Sequence, residues 1–67
     1  MGRINLKKFR IDLNLKAKEI AKKTNISSSH YSNIENGIND PKWDYMNLFA
    51  ETFNVDDKDV WVLFKKV

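Results

Sequence analysis

Four serines, at 27, 28, 29 and 32, stand around the lone histidine at 30 and run on into asparagines at 33 and 36. Two kinds of chemistry use such residues. The first is nucleophilic: a serine hydroxyl attacks when a base takes its proton and a third group orients that base inside a pocket. Here only His30 is within sequence reach, and a run of helical spacing offers a face rather than a pocket, so no enzyme is expected. His30 itself reads as a surface residue rather than a pH sensor. With no cysteine and one histidine, metal ligation lacks its usual donors. The only glycines are Gly2 and Gly37, so a glycine-rich phosphate loop is absent as well. No metal and no cofactor are expected. The second chemistry is recognition. Short Ser and Asn side chains donate to phosphate oxygens and base edges, and an asparagine can pair two-pronged with adenine in the major groove.

The elements that present these residues follow from spacing. Ala17, Ile20, Ala21 and Thr24 recur at helical intervals and predict a short helix with a narrow, small-residue face. Its other side carries Lys16, Lys18, Lys22 and Lys23. Asn25 stops it, since Asn tolerates the left-handed conformation of a tight interhelical turn. Ile26 then drops into the core, and Ser27 is placed to cap a second helix from Ser28 to Asn36. On that helix Tyr31 and Ile34 point inward. Ser28, Ser29, Ser32, Asn33 and Asn36 share the outer face. A generic surface helix favours Glu, Lys and Gln, so a face of short polar side chains suits close approach to another surface. The unit is a helix-turn-helix.

Charge supports that direction. The net charge of the 67 residues is +3, but residues 1–34 carry +6 and residues 35–67 carry −3. Either the lysines solvate a helix, or the basic half faces a polyanion with Lys7, Lys8, Lys16, Lys18, Lys22 and Lys23 near phosphates. A chain of this length is expected to form one domain over 1–67, and its 42% hydrophobic content argues against disorder. No apolar run approaches the roughly 18 residues that span a membrane, and no signal-peptide pattern opens the chain. A cytoplasmic protein with no membrane contact is expected.

Outside the motif the pattern stays helical. Leu6, Phe9 and Leu13 mark one face of a helix from Ile4 to Leu13, ended at Asn14. Asp40 is expected to cap a helix from Pro41 to Phe53, with Trp43, Met46, Ala50 and Phe53 inward, flanked by Tyr45 and Phe49. Asp56 or Asp57 caps a last helix from Lys58 to Lys65, with Val60, Trp61 and Phe64 apolar. The tail 64–67 is expected to fray or to form a short pairing segment. The fold class is therefore all-α, a compact five-helix domain with the helix-turn-helix at helices 2 and 3.

The residues Leu6, Phe9, Arg10, Leu15, Glu19-Ile20-Ala21, Ile26-Ser27, Ser32, Ile34-Glu35-Asn36-Gly37, Pro41, Leu48-Phe49-Ala50, Phe53 and Val55 together resemble the lambda-repressor-like Cro/CI, or Xre, helix-turn-helix family. The resemblance covers almost the whole chain. It implies a transcriptional regulator, a phage or bacterial repressor, that binds double-stranded DNA with the helix after the turn in the major groove. By that resemblance Ser28, Ser29 and Asn33 read bases, and Ser32, Lys16, Lys18, Lys23, Asn36 and Asn39 contact phosphates. Arg10 and Glu35 would form a structural ion pair that fixes the angle of the recognition helix. Ala17 stands where the family usually has Gln, Asn14, Asn25 and Asn54 where Gly is common, and 38–40 lack the usual basic residue. No Arg, Lys or Gln lies on the outer face, so specificity would rest on short side chains, apolar contacts or DNA shape.

Several apolar residues fall off the core faces. Ile4 and Ile11 lie opposite Leu6 and Phe9, and Trp61 stands apart from the side shared by Val60 and Phe64. The resemblance implies a homodimer through the fifth helix and the end of the fourth, with Trp61, Phe64 and Val67 at the contact and two recognition helices about 34 Å apart on a pseudo-palindrome. The alternative is a protein-interaction module on the same fold, antirepressor or antitoxin-like, whose partner is a regulatory protein.

Overall fold

The computed structural model describes residues 2–66 and contains five helices in the order α1 (Ile4–Asp12), α2 (Ala17–Lys23), α3 (Ser28–Glu35), α4 (Trp43–Phe53) and α5 (Asp57–Leu63). No strand is present among the described residues, and none of their helices is long and apolar enough to cross a membrane. The principal extents of 26 × 24 × 23 Å are nearly equal, so the helices wrap a common centre instead of lying side by side as a bundle.

That centre is one cluster built from every helix: Leu6, Ile20, Ala21, Tyr31, Ile34, Met46, Phe49, Ala50, Val60 and Phe64. Phe49 is its aromatic hub. Phe9, Tyr45, Phe53 and Phe64 all pack on it at centroid distances of 4.7 to 6.3 Å, in the tilted and edge-on arrangements that ring quadrupoles favour. Below α4, Thr24 is fully buried and satisfies its hydroxyl at Ile20 O, 2.8 Å away, and at the Tyr45 hydroxyl, 2.9 Å away.

Four of the helices end by the same device. Asn14, Asn25, Gly37 and Asn54 have φ of 58, 65, 79 and 56°, the left-handed region that Gly and Asn enter most easily. The next residue then donates its N–H five positions back: Leu15 to Arg10 O, Ile26 to Ala21 O, Ile38 to Asn33 O and Val55 to Ala50 O, at 2.8 to 3.2 Å. This is the long bond of the Schellman motif, and the residue that makes it is apolar each time. Leu15, Ile26 and Val55 pack on the core, whereas Ile38 remains 70% exposed.

The helix starts differ from expectation at α4. It begins at Trp43, with Lys42 in the cap position and no side-chain cap, instead of at Pro41 under Asp40. The Asp40 carboxylate is engaged elsewhere, by Arg3 at 2.8 Å and Lys66 at 2.9 Å, and is not free to accept from a helix N-terminus. Trp43, expected inward, is half-exposed and stacks on Trp61 with centroids 5.0 Å apart. Leu13, expected on the core face of α1, is also exposed because α1 ends at Asp12. At α5, Asp56 holds the cap position without a side-chain bond and the helix stops at Leu63.

Candidate nucleic-acid interface

The helix-turn-helix begins with a cap at each helix. Glu19 in the first turn of α2 accepts the Lys16 N–H at 2.8 Å, and Lys22 and Lys23 lie in its last turn. An acid at the start and bases at the end both oppose the helix dipole. Across the turn at Asn25, the Ser27 hydroxyl accepts the His30 N–H at 3.1 Å, satisfying one orphan donor of α3. Ile20 and Ala21 meet Tyr31 and Ile34 in the core, which fixes α2 against α3.

The far end of α3 is held by charge. Arg10 Nε donates to Glu35 Oε2 at 2.8 Å and Arg10 Nη2 to Glu35 Oε1 at 3.1 Å, while Nη1 reaches Leu15 O at 3.1 Å. The Tyr31 hydroxyl adds a third bond to the same carboxylate at 2.8 Å. The forked bond to Glu35 raises the Arg10 pKa further, so this guanidinium stays charged at any ordinary pH. Tyr31 is pushed far upward, first by burial and then by the hydrogen bond to Glu35. It remains a neutral donor. α1 and the C-terminal turn of α3 are thereby locked through a two-pronged contact that only arginine can make to a carboxylate.

The outward side of α3 is as short and polar as the sequence implies. Ser28, Ser29, His30 and Asn36 are exposed, and Ser32 and Asn33 are half-buried. An open groove separates α2 from the first turn of α3 and is lined by Lys18, Lys22, Lys23, Asn25, Ser27 and Ser28, among others. The structure thus brings Lys18 and Lys23 to the same groove as Ser28. Lys16 lies elsewhere, in a depression with Ile11, Asn14, Leu15 and Glu19. Asn36 and Asn39 are exposed in the connection after α3, where the Ile38 and Asn39 N–H groups both donate to Asn33 O at 2.8 and 3.1 Å. Lys7, Lys8 and Lys22 are exposed too.

Of the three residues expected at a dimer contact, Trp61 is 57% exposed and Phe64 only 6%. Phe64 lies edge-on to Phe49 and Tyr45, facing the core as its spacing from Val60 demands. Val67 lies outside the described residues. Arg3 carried no expectation, yet it is buried and hydrogen-bonded to four acceptors. Its partners lie 31 to 61 positions away, so no local spacing marks it. Among the described residues, no three His, Cys, Asp or Glu side chains gather as metal ligands would.

Five helices around a single aromatic hub, with a short polar helix displayed after a tight turn, define a helix-turn-helix nucleic-acid-binding fold. A family model described as helix-turn-helix matches residues 6–60, and the chain belongs to that Cro/CI and Xre-like family of DNA-binding transcription regulators. No curated protein and no solved structure gives a significant match.

Proposed function

We propose that the protein is a sequence-specific transcriptional repressor of phage or bacterial type that binds a pseudo-palindromic operator as a homodimer in the cytoplasm. The observation that carries this reading is the groove in which Lys18, Lys22 and Lys23 of α2 share walls with Ser27 and Ser28 of α3. A phosphate strand running along that groove meets three lysines against a single carboxylate, Glu19, and leaves the adjoining face of α3 directed at base edges. Ser28, Ser29 and Asn33 are the base-contacting residues, and Ser32, Lys16, Lys18, Lys23, Asn36 and Asn39 take the phosphates. With no long side chain on that face, the helix enters the groove closely, and DNA shape supplies part of the specificity.

For the dimer, the surface of choice is the half-exposed pair Trp43 and Trp61. Phe64, packed on Tyr45 and Phe49, lines a depression beside Trp61. Large aromatic side chains are typical anchors of protein contacts.

Titration of a labelled duplex, obtained by selection from random sequence, at several salt concentrations tests the reading. Binding that prefers the selected duplex over random DNA and weakens steeply with salt is the expected result. Equal binding to all duplexes refutes the specific repressor. No binding at low salt, with retention of a protein partner instead, supports an interaction module of antirepressor or antitoxin type.

A further inference from the structure

The N-terminal segment reaches the recognition helix from outside the motif. Arg3 is 3% exposed. Its Nε donates to Phe64 O at 2.8 Å, its Nη1 to Ile34 O and to Asn39 O, the latter at 3.0 Å, and its Nη2 to Asp40 Oδ1 at 2.8 Å. The Arg3 backbone N–H donates to Glu35 O at 2.8 Å. One residue therefore ties together the last turn of α3, the connection that follows it and the end of α5.

A helix C-terminus leaves carbonyls without partners, and water or a cap usually serves them. Here a buried guanidinium joins the Gly37 N–H at the Ile34 carbonyl, and the Arg3 amide serves that of Glu35. If the segment needed only to be held against the core, an apolar side chain would do so without the desolvation cost of a charge. What the planar fork adds is direction, because its donors fix several acceptors relative to one another. The acceptors so fixed include Asn39 and Asp40. Asp40 is 73% exposed at its side chain and stands in a connection assigned here to phosphate contact, where a free carboxylate would repel DNA. Lys66 and then Arg3 draw its pKa down and occupy its charge.

We infer that Arg3 is a positioning residue for DNA binding: it sets the 36–40 connection against the end of the recognition helix and takes up the Asp40 charge, so that Asn36 and Asn39 meet the DNA backbone already ordered. The role rests on the DNA-binding reading of α3 proposed above. A connection ordered in advance spares the entropy of immobilising its side chains on binding.

The test compares wild type with Arg3→Lys, which keeps the charge and loses the fork. Three measurements are made: thermal unfolding, amide hydrogen exchange of the free proteins, and affinity for the selected duplex across a salt series. In free wild type the Ile38 and Asn39 amides are expected to be protected. In Arg3→Lys they exchange faster and affinity falls roughly tenfold under conditions where the variant is folded, while the salt slope stays close to that of wild type, because the contacts weakened are those of neutral asparagines. A cooperatively folded Arg3→Lys with wild-type affinity overturns the inference. If the variant does not fold, wild type alone decides: Ile38 and Asn39 amides that exchange freely without DNA and gain protection only on binding overturn it equally. A wild type that binds no duplex at low salt removes the DNA-binding reading and this role with it. That failure is recognisable because the protection of Ile38 and Asn39 persists with nothing to bind.

Discussion

Replacing Arg10 by alanine tests what orients the recognition helix. The Arg10 and Glu35 side chains are 17% and 10% exposed, closer to a buried pair than to a surface one. Truncation removes both bonds to the Glu35 carboxylate and the one to Leu15 O. It leaves a nearly buried negative charge with only the Tyr31 hydroxyl as partner. Breaking one side of a buried pair costs about 3–5 kcal/mol. A domain of this length is stable by about 3–10 kcal/mol at the usual value per residue, so Arg10→Ala should remove between about a third and all of it. Urea unfolding at neutral pH, followed by far-ultraviolet circular dichroism, should show a much lower midpoint with an unchanged slope. The double variant Arg10→Met with Glu35→Leu, which removes both charges, should recover most of the loss. A shift below about 1 kcal/mol for Arg10→Ala, the range of an exposed pair, would refute the locking role.

Other substitutions probe separate parts of the molecule. Tyr31 has a raised pKa, whereas in the unfolded chain a tyrosine ionises near about pH 10. The unfolded state therefore loses its proton first, and stability should be intact below about pH 10 and fall as pH rises above it. Tyr31→Phe should flatten that decline in an alkaline titration of unfolding, at a neutral-pH cost of about 1.5–3 kcal/mol for a bond to a charged group. At Asn54, with φ of 56°, Asn54→Gly should be close to neutral in thermal unfolding, while Asn54→Ala should lose about 1–2 kcal/mol. In duplex titrations, Lys23→Ala should weaken all sequences alike and reduce the salt slope by about 1, whereas Ser28→Ala should relax sequence preference; the opposite pattern would exchange their assigned roles. Trp61→Ala should dissociate the proposed dimer in analytical ultracentrifugation, and an unchanged sedimentation coefficient would place that contact elsewhere.

What the sequence showed and what it hid divide along physical lines. The left-handed ends at Asn14 and Asn54 were legible through the resemblance, as positions where Gly is common, whereas that at Asn25 was legible because the signal is local, an Asn directly after a helical pattern and followed by an apolar residue. The polar outer face of α3 and its Ser27 cap were legible for the same reason. Arg3 was not, because its acceptors sit at positions 34, 39, 40 and 64 and an arginine before a helix looks like any solvated charge. Asp40 misled for a related reason. An Asp before a Pro is a good local cap, and only tertiary structure brings Arg3 and Lys66 to compete for it. The two dimer candidates that the structure describes, Trp61 on α5 and Phe64 just after it, separate instructively. Periodicity set Phe64 with Val60 on the inner side and Trp61 apart from them, and the structure follows periodicity.

Both tryptophans of the chain are in the single stacked pair of Trp43 and Trp61, at 5.0 Å and 29°. Their transition dipoles are therefore close enough to couple, and the pair should give an exciton couplet in the far-ultraviolet dichroism, from the strong indole transition there, that neither indole gives alone. Tryptophan fluorescence, excited beyond the tyrosine absorption, will report on one place only, where the first turn of α4 meets α5. In any optical titration of this protein, a change in tryptophan emission describes that junction, and events on the serine-rich face of α3 need a reporter of their own.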